Sequence, residues 1–449
     1  MSRRRRVRGL RVLAVAALVG ATGGPLRAQE HPDVSAEIRE GGFNKMPIAV
    51  PEFPTVDPGP RWADLATRIH EVMWDDLTFS GYFDLVDADL YRLVPAFSER
   101  DVRFRDWRSI GAQAVFLGKL TARGSDLSVE GRLYDTEGDD ARRRGGHLIF
   151  GKRYQGGENL VRRIGHKLAN DVVRNLTGVD GIFLTKIAFS VRISAHRKEI
   201  FVMDYDGNRP VQITNNGSLN LSPAWSPDGS QLAYVTYVTG RPEIHLVDAD
   251  GRRSRVFARE GDLNSAPEWS PDGSSMVYSA SRNGNTELVK IDLASSTLTR
   301  LTNHPAIDTS PAFSPSGREI AFTSDRSGTP QIYLMDIDGA NIRRVTREGN
   351  YNDSAAWSAR VQSRLAYVSR LDGRFQIMLL DIATGATRQL TRRMGNNENP
   401  RFSSDGLHIV FASDRTGRYQ IYSMDLDGQH IRRLTRRGGC ETPDWSTGT

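Results

Sequence analysis

Cysteine is nearly absent from this chain of 449 residues, in which Cys440 is the single thiol. One cysteine excludes an intrachain disulfide framework and a zinc site built from several thiolates. The nine histidines show no metal-ligand spacing, and we expect them to be exposed or singly hydrogen-bonded. Nucleophile-turn, zinc-protease and phosphate-loop motifs are missing as well. The sequence therefore predicts no cofactor and no enzyme activity.

A long hydrophobic run is also lacking. The apolar stretch Val12–Ala21 is about half of the ~20 residues that span a bilayer. It follows a cluster of arginines, and Leu26-Arg27-Ala28 fits a signal-peptidase site. We therefore predict a cleavable signal peptide at residues 1–28, with the general secretory and twin-arginine routes both open. No cysteine follows the run, which excludes a lipoprotein anchor at this point.

Lysine is scarce, with 7 residues against 53 arginines. Seven of those arginines lie in residues 1–28, which contain no acid, so the net charge of +6 becomes −1 without that segment. The basic character of the chain therefore belongs to the predicted signal peptide. We expect no nucleic-acid partner, because the rest of the chain lacks the positive charge that such a partner needs.

An aromatic residue recurs at a nearly constant interval through the second half of the chain. The sequence Ser-Pro-Ala-Trp-Ser-Pro-Asp-Gly at residues 222–229 returns with small changes at 266–273 and 310–317. The intervals between the aromatic residues are 44, 44, 44, 45 and 43 residues. The six positions are Trp225, Trp269, Phe313, Trp357, Phe402 and Trp445.

Each repeat reads as four short strands. A Ser-Pro-Asp-Gly turn follows the aromatic strand, an Asp-Gly hairpin follows the third strand, and the fourth ends in Leu-Thr or Val-Thr. Four-stranded units of this length are propeller blades. The first unit, at Ile187, lacks an aromatic strand, whereas Trp445 has no strands after it. Residues 181–449 are therefore predicted to form an all-β six-bladed propeller, with the C-terminal strand closing the first blade.

The preceding residues predict a smaller α+β unit. Apolar residues at helical spacing indicate one helix around Trp62–Leu77 and a second around Leu160–Leu176. Short β-branched or aromatic segments indicate strands, so we expect two helices on a mixed sheet at residues 46–180. Residues 29–45 are polar and weakly patterned, and we predict that they form an extended arm.

One position of the repeat holds an Asn or Asp side chain in five of the six copies. In the predicted propeller these residues lie at one mouth of the channel, beside arginines of the loops between second and third strands. The column stands five residues before each aromatic residue and reads Asn220, Asn264, Asp308, Asn352, Asn397 and Cys440. The arginines are Arg241, Arg282, Arg326, Arg374 and Arg415.

Several interpretations of this mouth stay open. The Asn and Asp side chains either cap turns or form a polar binding surface. The arginines are either solvated, paired with the local Asp325 and Asp414, or available to a partner's carboxylates. Cys440 is either a buried thiol or a surface thiol able to oxidise.

The turn Asp204-Tyr205-Asp206-Gly207, the repeat at residues 222–229 and Leu176-Thr177-Gly178 leading into Lys186 carry a family resemblance. The chain resembles the TolB family, the periplasmic propellers of the Tol–Pal system. The resemblance implies a periplasmic protein that binds the lipoprotein Pal at the polar mouth and TolA through the arm. The residues that we assign to Pal are Asn220, Asn264, Ala266, Asp308, Thr309, Asn352, Asn397 and Glu398, with the five arginines beside them. The arm residues that we assign to TolA are Val34 and Ile38.

Two functions follow as hypotheses. The first is a monomeric scaffold that links TolA to Pal and supports outer-membrane integrity and constriction during cell division. The alternative is a propeller enzyme, or a sugar- or peptide-binding module, that uses the central channel. That alternative requires acid–base or metal-binding residues that converge in the channel. Whether the channel binds an ion stays open.

Overall fold

The computed structural model describes residues 45–448 apart from residues 58, 96–101, 125, 137–147, 260, 283 and 393. The predicted signal peptide lies outside the described residues, as does the predicted arm except for Lys45. Val34 and Ile38 therefore lie outside them too.

A five-stranded mixed sheet and two long helices form the N-terminal unit. The sheet order is β2-β1-β3-β4-β5, with β1 parallel to both β2 and β3 and the remaining pairs antiparallel. The strands are β1 (Met46–Ala49), β2 (Phe83–Leu85), β3 (Ala114–Arg123), β4 (Asp126–Asp135) and β5 (Leu148–Gly157). The helices are α1 (Pro60–Phe79), α2 (Phe104–Ser109) and α3 (Val161–Thr177), with 3₁₀ turns at Ala88–Leu93 and Glu158–Leu160. The predicted α+β fold is confirmed, and α2 and β2 are additions to it.

The two long helices pack against each other because their sequences allow close approach. Helix α3 buries an apolar stripe and ends at Gly178, which adopts φ +71° and donates its N–H to the Arg174 carbonyl. At Gly165 an added Cβ would lie 2.8 Å from Cγ1 of Val72 in α1. A side chain at that position would separate the helices, so glycine sets their spacing.

Six four-stranded sheets form the propeller. Blade 1 holds β6 (Lys186–Ser194), β7 (Arg197–Asp204) and β8 (Val211–Gln212). Blade 2 holds β9 (Asn220–Trp225), β10 (Gln231–Thr236), β11 (Glu243–Asp248) and β12 (Ser254–Ala258). Blade 3 holds β13 (Leu263–Trp269), β14 (Ser275–Arg282), β15 (Asn285–Asp292) and β16 (Leu298–Arg300). Blade 4 holds β17 (Asp308–Phe313), β18 (Glu319–Ser324), β19 (Gln331–Asp336) and β20 (Arg343–Arg344). Blade 5 holds β21 (Asn352–Trp357), β22 (Arg364–Leu371), β23 (Arg374–Asp381) and β24 (Thr387–Gln389). Blade 6 holds β25 (Asn397–Phe402), β26 (His408–Ser413), β27 (Gln420–Asp425) and β28 (Arg432–Arg433).

The ring closes through the C-terminal strand β29 (Cys440–Trp445), which pairs antiparallel with β6 and becomes the inner strand of blade 1. Trp445 is buried, and its indole N–H donates to Thr185 Oγ1 at 2.8 Å. The Lys186 amide also donates to the Ser446 hydroxyl at 2.8 Å. The predicted closure of the first blade by the C-terminal strand is therefore confirmed.

The α+β unit contacts the propeller on the side of the first-to-second and third-to-fourth strand turns. Tyr205, in such a turn, donates its hydroxyl to Asp76 of α1 at 2.5 Å. At the start of β26, Nε2 of His408 lies 2.8 Å from the Phe79 carbonyl, and the two rings stack. The opposite ends of the strands carry the polar mouth. The mouth therefore faces away from the α+β unit.

Candidate functional site

The six residues of the polar column, which we call the ring positions, begin the inner strands of the blades. They are buried in every blade, with 2 % of Asn264 exposed and less of the other five. The sequence predicted these residues at the channel mouth, and in the structure they lie at that end of the inner strands. Their side chains, however, point into the seams between blades rather than toward solvent.

In three seams an identical contact set holds the ring position in place. In the seam between blades 4 and 5, the Thr346 hydroxyl donates to Gln331 Oε1 at 2.7 Å, and Asn352 Nδ2 donates to the same oxygen at 2.8 Å. The same set recurs with Thr214, Glu199 and Asn220, and again with Thr391, Gln376 and Asn397. The Gln or Glu of one blade thus binds the first residue of the next blade, and the threonine holds that Gln or Glu in place. These buried hydrogen bonds tie neighbouring blades together.

Two of the predicted mouth arginines hold the ring position of their own blade. Arg326 donates to both carboxylate oxygens of Asp308, at 3.0 and 2.9 Å. Its guanidinium lies between the rings of Phe322 and Tyr333, 5.3 and 5.1 Å from their centroids. Such a paired and stacked arginine stabilises the blade rather than standing free in solvent.

Arg415 in blade 6 repeats the arrangement, donating to Asn397 Oδ1 at 2.7 Å. Of the alternatives left open for these arginines, pairing with Asp325 and Asp414 is not the one seen here, because their partners are Asp308 and Asn397. Asp325 accepts from the Ile307 amide at 2.9 Å and Asp414 from the Asn396 amide at 2.6 Å. Each acid therefore holds the loop that precedes the inner strand of its own blade.

The other three predicted arginines are exposed. Arg282 ends the second strand of blade 3 and occupies the position of Arg326 and Arg415. Arg241 and Arg374 instead follow the loop glycines Gly240 and Gly373. The five arginines therefore fall into two structural sets that the sequence did not separate.

The remaining predicted residues line the mouth itself. Ala266 adopts φ +49° and is half-buried, as are Thr309 and Glu398. Burial raises the pKa of Glu398, and the hydrogen bond from the Tyr419 hydroxyl only partly offsets that effect. The residue that follows each ring position forms this lining. The full set reads Leu221, Ser265, Thr309, Asp353, Glu398 and Glu441. Asp353 and Glu441 are mouth residues that the sequence reasoning missed.

Three charged side chains lie deeper in the channel, and none of them is among the predicted site residues. Arg401 of blade 6 lies 3.2 Å (Nε) from Asp444 Oδ1 in β29 and 3.5 Å (NH2) from Glu268 Oε2 in blade 3. Burial raises the pKa of Glu268 to about 7, with Asp444 adding to the rise and Arg401 opposing it. Because blades 3 and 6 are opposite in a ring of six, the Arg401–Glu268 pair crosses the channel, whereas the Arg401–Asp444 pair joins the neighbouring blades 6 and 1. We call these three residues the channel triad.

A signal for the channel triad was present in the repeat. The residue before each aromatic is Ala224, Glu268, Ala312, Ala356, Arg401 or Asp444. Three small residues alternate irregularly with three charged ones, which leaves room for the long side chains. Comparing the repeats column by column would have found the triad.

Cys440 is buried, and burial raises the pKa of its thiol to about 11. Its Sγ contacts the Arg437 carbonyl at 3.0 Å. This environment favours the buried, unreactive interpretation over an oxidisable surface thiol. The thiol also stands where four of the other blades have an amide and blade 4 has a carboxylate, and Gln420 Oε1 is buried here without a hydrogen-bond partner.

Within the part of the chain that the structure describes, no cluster of three or more His, Cys, Asp or Glu side chains is placed to hold a metal ion. No helix among the described residues is long and apolar enough to cross a membrane.

Comparison with known proteins identifies the family. A family model described as the TolB beta propeller domain matches residues 173–377 and 361–449, and one described as the TolB amino-terminal domain matches residues 34–141. The chain belongs to the TolB family. Its resemblance to that family, inferred from the turns and the repeat, is confirmed.

Relatives within the family are similar over part of their length. A Tol-Pal system protein TolB from Roseobacter denitrificans is 32% identical over 236 residues, covering 51% of this chain and 50% of that one. Another from Desulfosudis oleivorans is 36% identical over 203 residues, covering 44% of each chain. The chain thus spans about half the length of the curated relatives it matches.

A solved structure is similar over nearly the whole chain. The crystal structure of TolB from Acinetobacter baumannii matches with a TM-score of 0.75 and 29% identity, covering 92% of this chain and 99% of that one. This likeness covers both the α+β unit and the six-bladed propeller of a TolB protein.

Proposed function

We propose that the protein is a periplasmic component of the Tol–Pal system that works by binding partners and carries out no chemistry of its own. Membership of the TolB family is the observation that carries this proposal. Curated members that the chain resembles are named Tol-Pal system proteins.

The channel triad supports a binding role over the enzyme alternative. Arg401 holds Glu268 and Asp444 in ion pairs. A glycosidase-type site needs two carboxylates facing a substrate with their pKa values driven apart. Here both carboxylates face the same guanidinium, which also occupies the channel. We therefore do not propose that the channel is an active site.

The polar mouth is our proposed contact surface for Pal, with the predicted residues as its candidates. These residues differ in exposure, and we propose different roles for the buried and the accessible ones. Buried Asn220, Asn264, Asp308, Asn352 and Asn397 shape the inner strands. Half-buried Ala266, Thr309 and Glu398, together with exposed Arg241, Arg282 and Arg374, are accessible to a partner. An arginine at a mouth of this kind is suited to carboxylates on the partner.

The second proposed contact is with TolA through the arm that contains Val34 and Ile38. The match to the TolB amino-terminal domain begins at residue 34 and is consistent with that assignment. A protein with both contacts would link the inner-membrane TolA complex to Pal, and would support outer-membrane integrity and constriction during division.

A titration of the purified protein with soluble Pal tests the mouth. The double variant R241E/R374E is expected to weaken binding by about tenfold, because two exposed positive charges are reversed at the mouth. The matched control is R252E, at an exposed arginine in blade 2 on the opposite face, beside Asp250. It should bind like the wild type.

A second variant, Asn264→Ala with Asp308→Ala, tests the ring positions. It is expected to lose Pal binding, because Arg326 loses its partner Asp308 and the carboxamide of Asn264 is removed from the mouth. Circular dichroism checks that the propeller still folds. Unchanged Pal affinity in both double variants would rule out the mouth as the contact surface.

A further inference from the structure

The seam between blades 2 and 3 is built differently from its neighbours. Ala258 of blade 2 is equivalent to Thr302 of blade 3, which lies in the next seam. On the face of blade 3 that packs against blade 2, Ala280 and Val289 are equivalent to Ser324 and Tyr333 of blade 4. These residues lie 44 positions apart, the blade period, so the comparison is between equivalent places. Three side chains are thus smaller and less polar in one seam than in the next.

Each of the larger residues has a defined task in the seam between blades 3 and 4. The Thr302 hydroxyl donates to Glu287 at 2.6 Å, and the Ser324 hydroxyl accepts from Nε of Arg326 at 2.9 Å. The ring of Tyr333 covers the Arg326 guanidinium. The seam between blades 2 and 3 lacks all three contributions. Its equivalent arginine, Arg282, is exposed.

The ring position of this seam, Asn264, is left without the contact set found elsewhere. The acid that would accept from it, Glu243, accepts instead from Thr239 at 2.8 Å and from His245 at 3.1 Å. Asn264 is 2 % exposed, and its carboxamide has no hydrogen-bond partner among the described residues. A buried amide without a partner costs free energy. It gains that free energy back when a ligand supplies a donor and an acceptor.

Asn264 lines a cavity of about 740 Å³ at the place where the equivalent side chains of the next seam are larger. Buried Tyr278 and Val289 form its apolar wall. Exposed Leu298 and Arg259 lie at its edge. A volume of this size is typical of sites that bind small ligands or short peptide segments.

The charge around the cavity is positive. Among the described residues that line it, Arg259, Arg282 and Arg300 stand against one carboxylate, that of Glu287, which already accepts from Arg300 and Thr302. A bound group should therefore carry negative charge. A carboxamide such as that of Asn264 pairs with a peptide group, because both offer one N–H donor and one carbonyl acceptor. An aliphatic side chain would complement Val289 and Leu298.

We propose that this cavity binds a short acidic peptide segment of a partner protein, with a peptide group on Asn264, a carboxylate near Arg259 and an aliphatic side chain against Val289. The cavity lies between blades 2 and 3, and its lining shares Asn264 and Arg282 with the Pal candidates. The proposal goes beyond that contact because it assigns a separate ligand to Arg259, Val289 and Leu298, which are not Pal candidates.

Calorimetric titration of the purified protein tests this with three probes. The first is the blocked peptide Ac-Ala-Leu-Glu-Leu-Ala-NH2, expected to bind with a Kd on the order of 10⁻⁴ M. The second is the same peptide with Gln for Glu, expected to bind several-fold more weakly at low salt. The third is decanoate, which carries a carboxylate on an apolar chain without peptide groups, and it should bind more weakly than the acidic peptide.

The variant V289Y introduces the tyrosine that blades 4 and 6 have at this position, Tyr333 and Tyr422, and fills the cavity. It should reduce peptide affinity by about tenfold or more, while V211Y, at an exposed position of blade 1, should not. Pal affinity should be unchanged in V289Y, which separates this proposal from the previous one. R259Q is an independent test that leaves the core intact. It should weaken binding of the acidic peptide and leave binding of the Gln peptide unchanged, with R252Q as its matched control.

Three results would overturn the proposal. One is the absence of binding by the acidic peptide at millimolar concentration. Another is decanoate binding more tightly than the peptide, which would assign the cavity to an amphiphile. The third is wild-type peptide affinity in V289Y or, if that variant does not fold, in R259Q.

Discussion

Replacing Glu268 by glutamine should stabilise the protein at pH 8 and leave its stability at pH 5 nearly unchanged. Burial raises the pKa of Glu268 from 4.5 to about 7 in the folded chain. The folded state therefore binds this proton more tightly than the unfolded state does. Stability falls as the pH rises from about 4.5 to about 7, because the carboxylate then ionises inside the channel. Glutamine keeps the shape of the side chain and removes this ionisation.

The magnitude follows from the same shift. One pKa unit corresponds to about 1.4 kcal/mol, so ionisation of Glu268 costs at most about 3 kcal/mol at pH 8. Two features reduce the net gain from the substitution. The side chain keeps 24 % exposure to the channel, where water screens its charge, and Arg401 loses one of its two carboxylate partners in the variant. We therefore expect E268Q to raise the free energy of unfolding at pH 8 by about 1–2 kcal/mol.

Urea denaturation of wild type and E268Q at several pH values between 5 and 8 measures the difference. The matched control is E319Q at the outer edge of blade 4, where Glu319 pairs with Arg343 at 2.5 Å in a more exposed setting. Its effect should vary little over this range. A stability difference for E268Q that is equal at pH 5 and pH 8, or that favours wild type at pH 8, would refute the reasoning.

Two further predictions concern the closure of the ring and its junction with the α+β unit. Trp445→Ala should lower the free energy of unfolding by about 3–5 kcal/mol, and removal of residues 440–449 should cost more, as calorimetric melting would show. A truncated chain that melts like the full chain would contradict closure by β29. Burial alone would lower the pKa of His408, but Asp405 and Asp425 raise it above the ordinary 6.5. The stabilisation from His408 is thus present below pH 6.5 and lost as the pH rises through the higher folded value, so His408→Gln should destabilise the protein at pH 6 more than at pH 9. Equal destabilisation at both pH values would argue against a charged His408.

The framework of the fold was predictable because it repeats. Each blade is the same unit, and the aromatic residue that packs between blades must return once per blade, which fixes both the period and the count. Helices α1 and α3 were predictable because apolar residues recur along one face over four or more turns. The short elements α2 and β2 were not predicted, because six residues of helix and three residues of strand are too few to show a periodic pattern.

The contacts at the candidate site were harder to predict, and Arg326 shows why. The sequence suggested its neighbour Asp325, whereas its partner is Asp308, 18 residues earlier. Register decides this, because Asp308 and Ser324 are paired on adjacent antiparallel strands. The loop then returns Arg326 over that pair. The same geometry buries the ring positions, which a list of polar residues near a mouth does not reveal.

Departures from the period, rather than the period itself, indicate where this propeller differs from a symmetric ring. Six identical blades would bury six identical seams and offer no preferred direction to a partner. The channel triad breaks that symmetry by crossing from blade 3 to blade 6 and β29, and the acidic residues Asp353, Glu398 and Glu441 break it at the mouth. The seam between blades 2 and 3 breaks it a third time, where three smaller side chains leave an amide unpaired. At each of these three places the blade loses packing or a hydrogen bond and gains an accessible charge or a cavity. Selection for stability alone would fill such places, so they are where partner binding should be sought first.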